Sequence, residues 1–203
     1  MSYKLYLASA SPRRRELLDM LGFSYRLLLP NADENCAETD PARFVAELAA
    51  RKAEAAMELL SSEERENALI LGADTVVYAN GEILGKPKDR ADAVRMLTSF
   101  EGTTHEVYSG IAFASASGTV SASECTSVHF GKMSAEEIEA YVATGEPMDK
   151  AGSYAVQGIC SMWIDGIEGC HFNVIGLPIR RMYKVLREMG IDPMSLRRTA
   201  ENG

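Results

Sequence analysis

Apolar residues recur along the chain with two different periods. Residues 3–8 form a short apolar run of the kind that builds a buried strand. Ser11-Pro12 follows: Ser is a favoured N-cap, and the fixed φ of Pro suits the first helical turn. Leu17, Leu18 and Leu21 lie on one side of the predicted helix, and Gly22 ends it. Residues 25–29 read as a second strand. Asp40-Pro41 repeats the cap-plus-proline signal before a longer helix, with Phe44, Val45, Leu48 and Ala49 on its apolar stripe, continuing through Ala56 to Leu60. Residues 69–71 and 75–78 are strand-like, with Gly72-Ala73-Asp74 between or within them. Asn80-Gly81 predicts a hairpin turn, and Ile83-Leu84 the return strand. Asp89 can cap a helix ending near Phe100. Residues 106–114 and 119–130 read as two long strands joined across Ser115-Ala116-Ser117-Gly118. Ser134-Ala135-Glu136-Glu137 is a capping box before a helix to Thr144. The glycine-rich stretch 145–176 is expected to hold short strands and turns. Leu177-Pro178 opens a last helix with Ile179, Met182, Tyr183, Leu186 and Met189 on one face. The tail from Asp192 is expected to be flexible.

There is no internal repeat, low-complexity tract or linker, and no regular β-α-β alternation. The order of elements predicts an α/β protein with a mixed sheet and a long antiparallel portion. The whole chain, 1–203, is expected to be one domain, built as a single body or as two closely joined lobes.

Charge narrows the function. The chain has 203 residues, 46% hydrophobic and 25% charged, with a formal net charge of -8. Such a balance lacks the overall basic field of a nucleic-acid binder, so no nucleic-acid partner is expected. An acidic protein that handles an anion must concentrate positive charge locally, which makes the placement of Arg and Lys informative. Cys36, Cys125, Cys160 and Cys170 form no C-x-x-C pair, and no secretory signal precedes them. The expectation is reduced thiols in a cytoplasmic protein. No apolar run approaches the roughly 18 residues of a membrane span, so no membrane partner is expected. His105, His129 and His171 lack the i, i+4 spacing of a zinc pair.

Four clusters carry possible chemistry. Ser9-Ala10-Ser11-Pro12-Arg13-Arg14-Arg15 sits where a strand meets a helix N-terminus, a place that already favours anions. Three cations there oppose the helix dipole, and guanidinium groups match phosphate oxygens bidentately. Asp74, in Gly72-Ala73-Asp74-Thr75-Val76-Val77, is a carboxylate at the lip of an apolar strand, suited to a divalent cation or to a proton from water. An ordinary turn aspartate is the plain alternative. Lys86, in Gly85-Lys86-Pro87-Lys88-Asp89, and Lys52, within a helix, can meet a phosphate or simply be solvated. Asp33-Glu34 can share a metal with Asp74 or solvate a loop. Gln157 closes the small-residue stretch Asp149-Lys150-Ala151-Gly152-Ser153-Tyr154-Ala155-Val156-Gln157-Gly158, and its amide suits a base edge. Together these suggest metal-assisted hydrolysis of a phosphoanhydride.

Leu7-Ala8-Ser9-x-Ser11-Pro12-Arg13-Arg14-x-Glu16-Leu17-Leu18 resembles the opening signature of the Maf family. Gly72 to Val77, Gly85-Lys86-Pro87, Asp149 to Gly158, and Asn173-Val174-x-Gly176-Leu177-Pro178 resemble its later blocks, in order. The resemblance implies a fold akin to the inosine triphosphate pyrophosphatases: a long mixed sheet with helices, in two lobes around a cleft. It implies a nucleoside triphosphate as substrate, a monophosphate and pyrophosphate as products, and a divalent cation, Mg²⁺ or Mn²⁺. One branch of the family prefers dTTP and UTP and carries Arg, Thr and Gln at the positions of Arg13, Thr75 and Gln157; this sequence follows that branch. A second branch prefers 7-methyl-GTP. By the same matching, Asp74 resembles the catalytic base and Glu34 the second acidic residue, both as candidates for the metal; the motif leaves open which carboxylate holds the metal and which takes the proton. Ser9, Arg13, Arg14, Lys52 and Lys86 resemble phosphate-contacting residues. A homodimer is a candidate assembly. The alternatives are a housecleaning enzyme for 7-methyl-GTP or other modified nucleotides, and a non-catalytic regulator of septation.

Overall fold

A computed structural model describes residues 3–198. Its strands are β1 (Lys4–Ala8), β2 (Tyr25–Leu27), β3 (Ala68–Ala79), β4 (Glu82–Leu84), β5 (Thr104–Ser115), β6 (Gly118–Phe130) and β7 (Ile164–Glu168). Its α-helices are α1 (Pro12–Met20), α2 (Pro41–Glu58), α3 (Ser62–Arg65), α4 (Arg90–Phe100), α5 (Ala135–Ala143), α6 (His171–Ile175) and α7 (Ile179–Glu188). Among the described residues the strands form one seven-stranded sheet of order β2-β1-β3-β5-β6-β7, with β4 paired to β3. β1 runs parallel to both β2 and β3, whereas β4 is antiparallel to β3 and β7 to β6. The mixed sheet expected from the element order is therefore present.

The chain divides into two compact units, and β3, β5 and β6 each contribute to both. The first unit comprises Met1–Asp74, Ser109–Ser123 and Gly176–Gly203. Its central helix is α2, capped by Asp40, whose carboxylate accepts the Arg43 N–H at 3.0 Å. One side of α2 is a stripe of alanines: Ala49, Ala53 and Ala56 are fully buried against Tyr6, Ala8, Ile70 and Ala112. Small side chains let the helix backbone come down onto the strands. A Cβ on Gly72 would lie 2.1 Å from the Ala49 carbonyl oxygen, and one on Gly110 would lie 2.1 Å from that of Val45. Only glycine fits at either crossing.

Two expectations change in this unit. Of the two placements open for Gly72-Ala73-Asp74, between the strands or within them, the second holds: the triplet lies inside the continuous β3, which puts Asp74 within a strand rather than at its lip. Glycine here serves the α2 crossing, not a turn. The segment from Asp192 is docked as far as it is described. Pro193–Leu196 form a 3-10 turn capped by Asp192, Leu196 is 3% exposed, and its carbonyl accepts the Ser24 N–H at 2.9 Å. Burial of an apolar side chain and satisfied backbone groups hold this segment down. The remainder of the expected flexible tail, 199–203, lies outside the described residues.

The second unit comprises Thr75–Tyr108 and Glu124–Ile175. Its core packs α4 and α5 around Phe100, Val107, Phe130, Tyr141 and Tyr154. The β3–β4 hairpin turns on Asn80 and Gly81 with φ of 52° and 81°, as the Asn-Gly signal requires. Ser134 and Glu137 form the expected capping box of α5. The stretch 145–176 holds fewer strands than expected. It consists mainly of 3-10 turns at Glu146–Asp149, Ala151–Ser153 and Ile159–Trp163, followed by β7 and α6. Short i→i+3 turns satisfy the backbone where Pro and Gly preclude longer regular elements.

Candidate active site

In the first unit the basic cluster follows the C-terminal end of β1. Ser9 is 8% exposed, and its Oγ accepts the Ser11 N–H at 3.3 Å and an Arg14 Nη1–H at 2.9 Å. Ser11 thus stands at the N-cap of α1 without a side-chain capping bond; Pro12 at the first position leaves one fewer N–H to cap. Arg14 also donates through Nη1 to the Ala73 carbonyl at 3.0 Å and through Nε to the Gly176 carbonyl at 2.9 Å. One guanidinium therefore ties together the residue before Asp74, the turn before α7, and Ser9. Burial draws the Arg14 pKa below its ordinary value, the Asp74 carboxylate opposes that shift, and Arg13 adds to it. No acidic residue occupies the first turn of α1, so its dipole and its arginines both present positive charge.

The same unit gathers the carboxylates. Lys52 Nζ lies 2.6 Å from Asp74 Oδ1 and 2.8 Å from Glu34 Oε1. The side chains of Lys52 and Asp74 are 17% and 15% exposed, that of Glu34 66%. The alanine contact of α2 on β3 produces this meeting, because Lys52 precedes the fully buried Ala53 in the helix that crosses Gly72. Asp33 bonds locally, accepting from the Asn35 N–H at 2.9 Å, so the two acidic neighbours have separate roles. Sequence reasoning missed Arg51, whose Nη1 donates to the Asn35 carbonyl at 2.6 Å and steadies the loop that carries Glu34. Its only local signal is its place beside Lys52.

The second unit holds the other motif residues. Lys86 is exposed beyond β4, next to the buried Pro87. The Gly152 N–H donates to the Gly85 carbonyl at 3.0 Å, which joins the lysine turn to the glycine-rich block. Gly152 has φ 66°, and a Cβ there would lie 2.5 Å from Val77 Cγ2, so side chains are excluded on both counts. Thr75 lies on the same face of β3 as Val77, by strand alternation. Gln157 is exposed. Tyr154 is buried with its hydroxyl 2.8 Å from His105 Nε2, and burial lowers the His105 pKa to about 4. That pair was not foreseen; His105 reads in sequence as one of three scattered histidines.

Among the described residues no group of three or more His, Cys, Asp and Glu is placed to hold a metal ion. Glu34 and Asp74 nevertheless offer two oxygen donors on one ammonium, a set that fits Mg²⁺, which is commonly held by one or two carboxylates with substrate phosphates and water completing its shell. All four cysteines are free thiols, and no helix among the described residues is long and apolar enough to cross a membrane.

A dTTP/UTP pyrophosphatase of Pelotomaculum thermopropionicum is 47% identical over 190 residues, covering 92% of this chain and 97% of that protein. One from Desulforamulus reducens is 46% identical over 191 residues, covering 93% and 97%. The Staphylococcus aureus Ham1 protein has a similar fold, with a TM-score of 0.51 at 14% identity over 92% of this chain and 99% of that one. Residues 4–189 match the family described as Maf-like protein. With residues 4–189 matched by the family and its relatives matched nearly end to end, this chain belongs to the Maf family.

Proposed function

We propose that this protein hydrolyses dTTP and UTP to the nucleoside monophosphate and pyrophosphate. The observation that carries the reading is identity of 42–47% over more than nine-tenths of the chain to proteins named for that activity. The arrangement of Ser9, Arg14, Lys52, Glu34 and Asp74 supports it. Arg13, with Ser9 and the N-terminus of α1, binds phosphate oxygens. Ser9 has two lone pairs accepting from Arg14 and from the Ser11 amide, which leaves its hydroxyl hydrogen to donate to an anion. Arg14 acts at the phosphate through that orientation of Ser9. Lys52 and Lys86 compensate charge that develops on the leaving pyrophosphate. Asp74 takes the proton of the attacking water. Glu34 and Asp74 would hold a divalent cation, Mg²⁺ or Mn²⁺. When bound, it neutralises phosphate charge and makes water a better nucleophile. Arg13, Thr75 and Gln157 select the base.

Gln157 offers one donor and one acceptor to the O4 and N3–H edge shared by uracil and thymine. Cytosine places a donor where that edge has an acceptor. A mismatch of that kind costs on the order of 1–3 kcal/mol, so dTTP and UTP stand above CTP, with purine triphosphates lower. The test is product identification by chromatography after incubation with UTP and Mg²⁺. UMP with pyrophosphate is the expected outcome; UDP with orthophosphate overturns the reading of the bond cleaved. Homodimerisation and cytoplasmic residence are further parts of this proposal.

A further inference from the structure

We propose that Glu146 is the positioning residue that aims Gln157 at the base, an inference that rests on the reading of Gln157 given above. Glu146 begins the 3-10 turn Glu146–Asp149, eleven positions before Gln157 in a different local element. Its carboxylate nevertheless reaches the residues that follow Gln157. Oε2 accepts the Ile159 N–H at 3.1 Å, the first backbone donor of the 3-10 helix Ile159–Trp163. Oε1 accepts the Tyr141 hydroxyl at 2.9 Å, and Tyr141 is 2% exposed at the end of α5. The carboxylate is thus held between a rigid core side chain and the backbone just beyond Gln157.

Gly158 shows how closely the two parts meet. A Cβ built on it would lie 2.2 Å from Glu146 Oε1 and 2.6 Å from Oε2, while its φ of -112° is open to any residue. Glycine here leaves room for the carboxylate, which a Cβ would displace, and is not called for by backbone conformation. On the other side of Gln157, the Tyr154 hydroxyl is fixed by His105 within the aromatic core of Phe100 and Phe130. Gln157 is exposed between these two anchors. An amide that distinguishes O4 from an amino group needs a fixed orientation, and exposure alone provides none. Glu146 supplies that constraint without touching the nucleotide.

The test compares kcat/KM for UTP and CTP in Glu146→Ala, Glu146→Gln and Gly158→Ala, each alone and combined with Gln157→Ala. Glu146→Ala is expected to reduce the UTP preference about tenfold, the scale of one mismatched polar contact. Glu146→Gln, which keeps an acceptor for the Ile159 N–H, restores most of that loss. Gly158→Ala displaces the carboxylate and reproduces the effect of Glu146→Ala, which keeps the comparison open if Glu146→Ala does not fold. In the Gln157→Ala background none of the three alters the preference further. Equal losses for UTP and CTP, added in full on top of Gln157→Ala, mean a purely structural role and overturn the proposal. Loss of preference in Gln157→Ala but not in the Glu146 variants overturns the proposal and leaves the base reading standing. An unchanged preference in Gln157→Ala removes the base reading and the proposal together.

Discussion

At the scale of single residues, the decisive feature is Asp74 against Lys52. Their contact at 2.6 Å is largely shielded from water, where charges interact more strongly than on an open surface. Glu34 meets the same ammonium but is two-thirds exposed, so solvent screens it and its position depends on the loop held by Arg51. In the proposed mechanism the shielded, fixed Asp74 is the base and the exposed Glu34 the more adaptable metal ligand. Replacing Asp74 by Asn keeps the shape and removes the proton acceptor, and should lower kcat on UTP by about 10²-fold or more. Circular dichroism verifies the fold of the variant, and steady-state turnover near that of the wild type would remove Asp74 from the mechanism. Arg14 is a different kind of residue. Its donors reach two backbone carbonyls and Ser9, so it orders the site from within.

At the scale of elements, the site depends on how near α2 lies to the sheet. The alanine stripe of α2 and Gly72 of β3 and Gly110 of β5 let the backbones approach closely. Lys52 can then place its ammonium on a carboxylate that projects from β3. A methyl group at Gly72 would meet the Ala49 carbonyl and the Ala53 amide, neither of which can move without the helix. Gly72→Ala is expected to cost about 3 kcal/mol, at the upper end of overpacking, and urea denaturation measures it. The surviving folded fraction should also lose turnover, because the helix shift carries Lys52 away from Asp74. A Gly72→Ala protein as stable as the wild type would show that the crossing is looser than described.

At the scale of the whole molecule, the net charge of -8 and the anionic substrate proposed for it pull in opposite directions. Of the basic residues proposed to meet the phosphates, Arg13, Arg14 and Lys52 belong to the first unit and Lys86 to the second. The chain also closes on itself beyond the part that matches the family. Leu196 lies past residue 189, yet it is buried, and the Arg198 N–H donates to the Gly22 carbonyl at 2.9 Å. Leu196→Ala should therefore destabilise the protein by about 2–4 kcal/mol, a core value rather than that of a surface tail. Thermal unfolding checks this; no shift in Tm would return the segment to the flexible end that its composition suggests.

The sequence alone carried the elements with strong local signals. Asp40-Pro41, Asn80-Gly81 and the Ser134–Glu137 box act through bonds between near neighbours, and each stands where its chemistry requires. The residue types of the site were equally legible, because a phosphoanhydride calls for guanidinium, ammonium and carboxylate groups whatever the fold. Tertiary structure decided which of those groups meet. The joining of Glu34, Lys52 and Asp74 depends on a helix crossing a strand, and nothing local to any of the three encodes it. Nor does local sequence reveal that Gly72 serves a helix crossing rather than a turn, or that Glu146 lies against Gly158. Local sequence encodes the interactions of residues that are neighbours along the chain, whereas contacts between distant segments form only where burial of apolar surface brings them together.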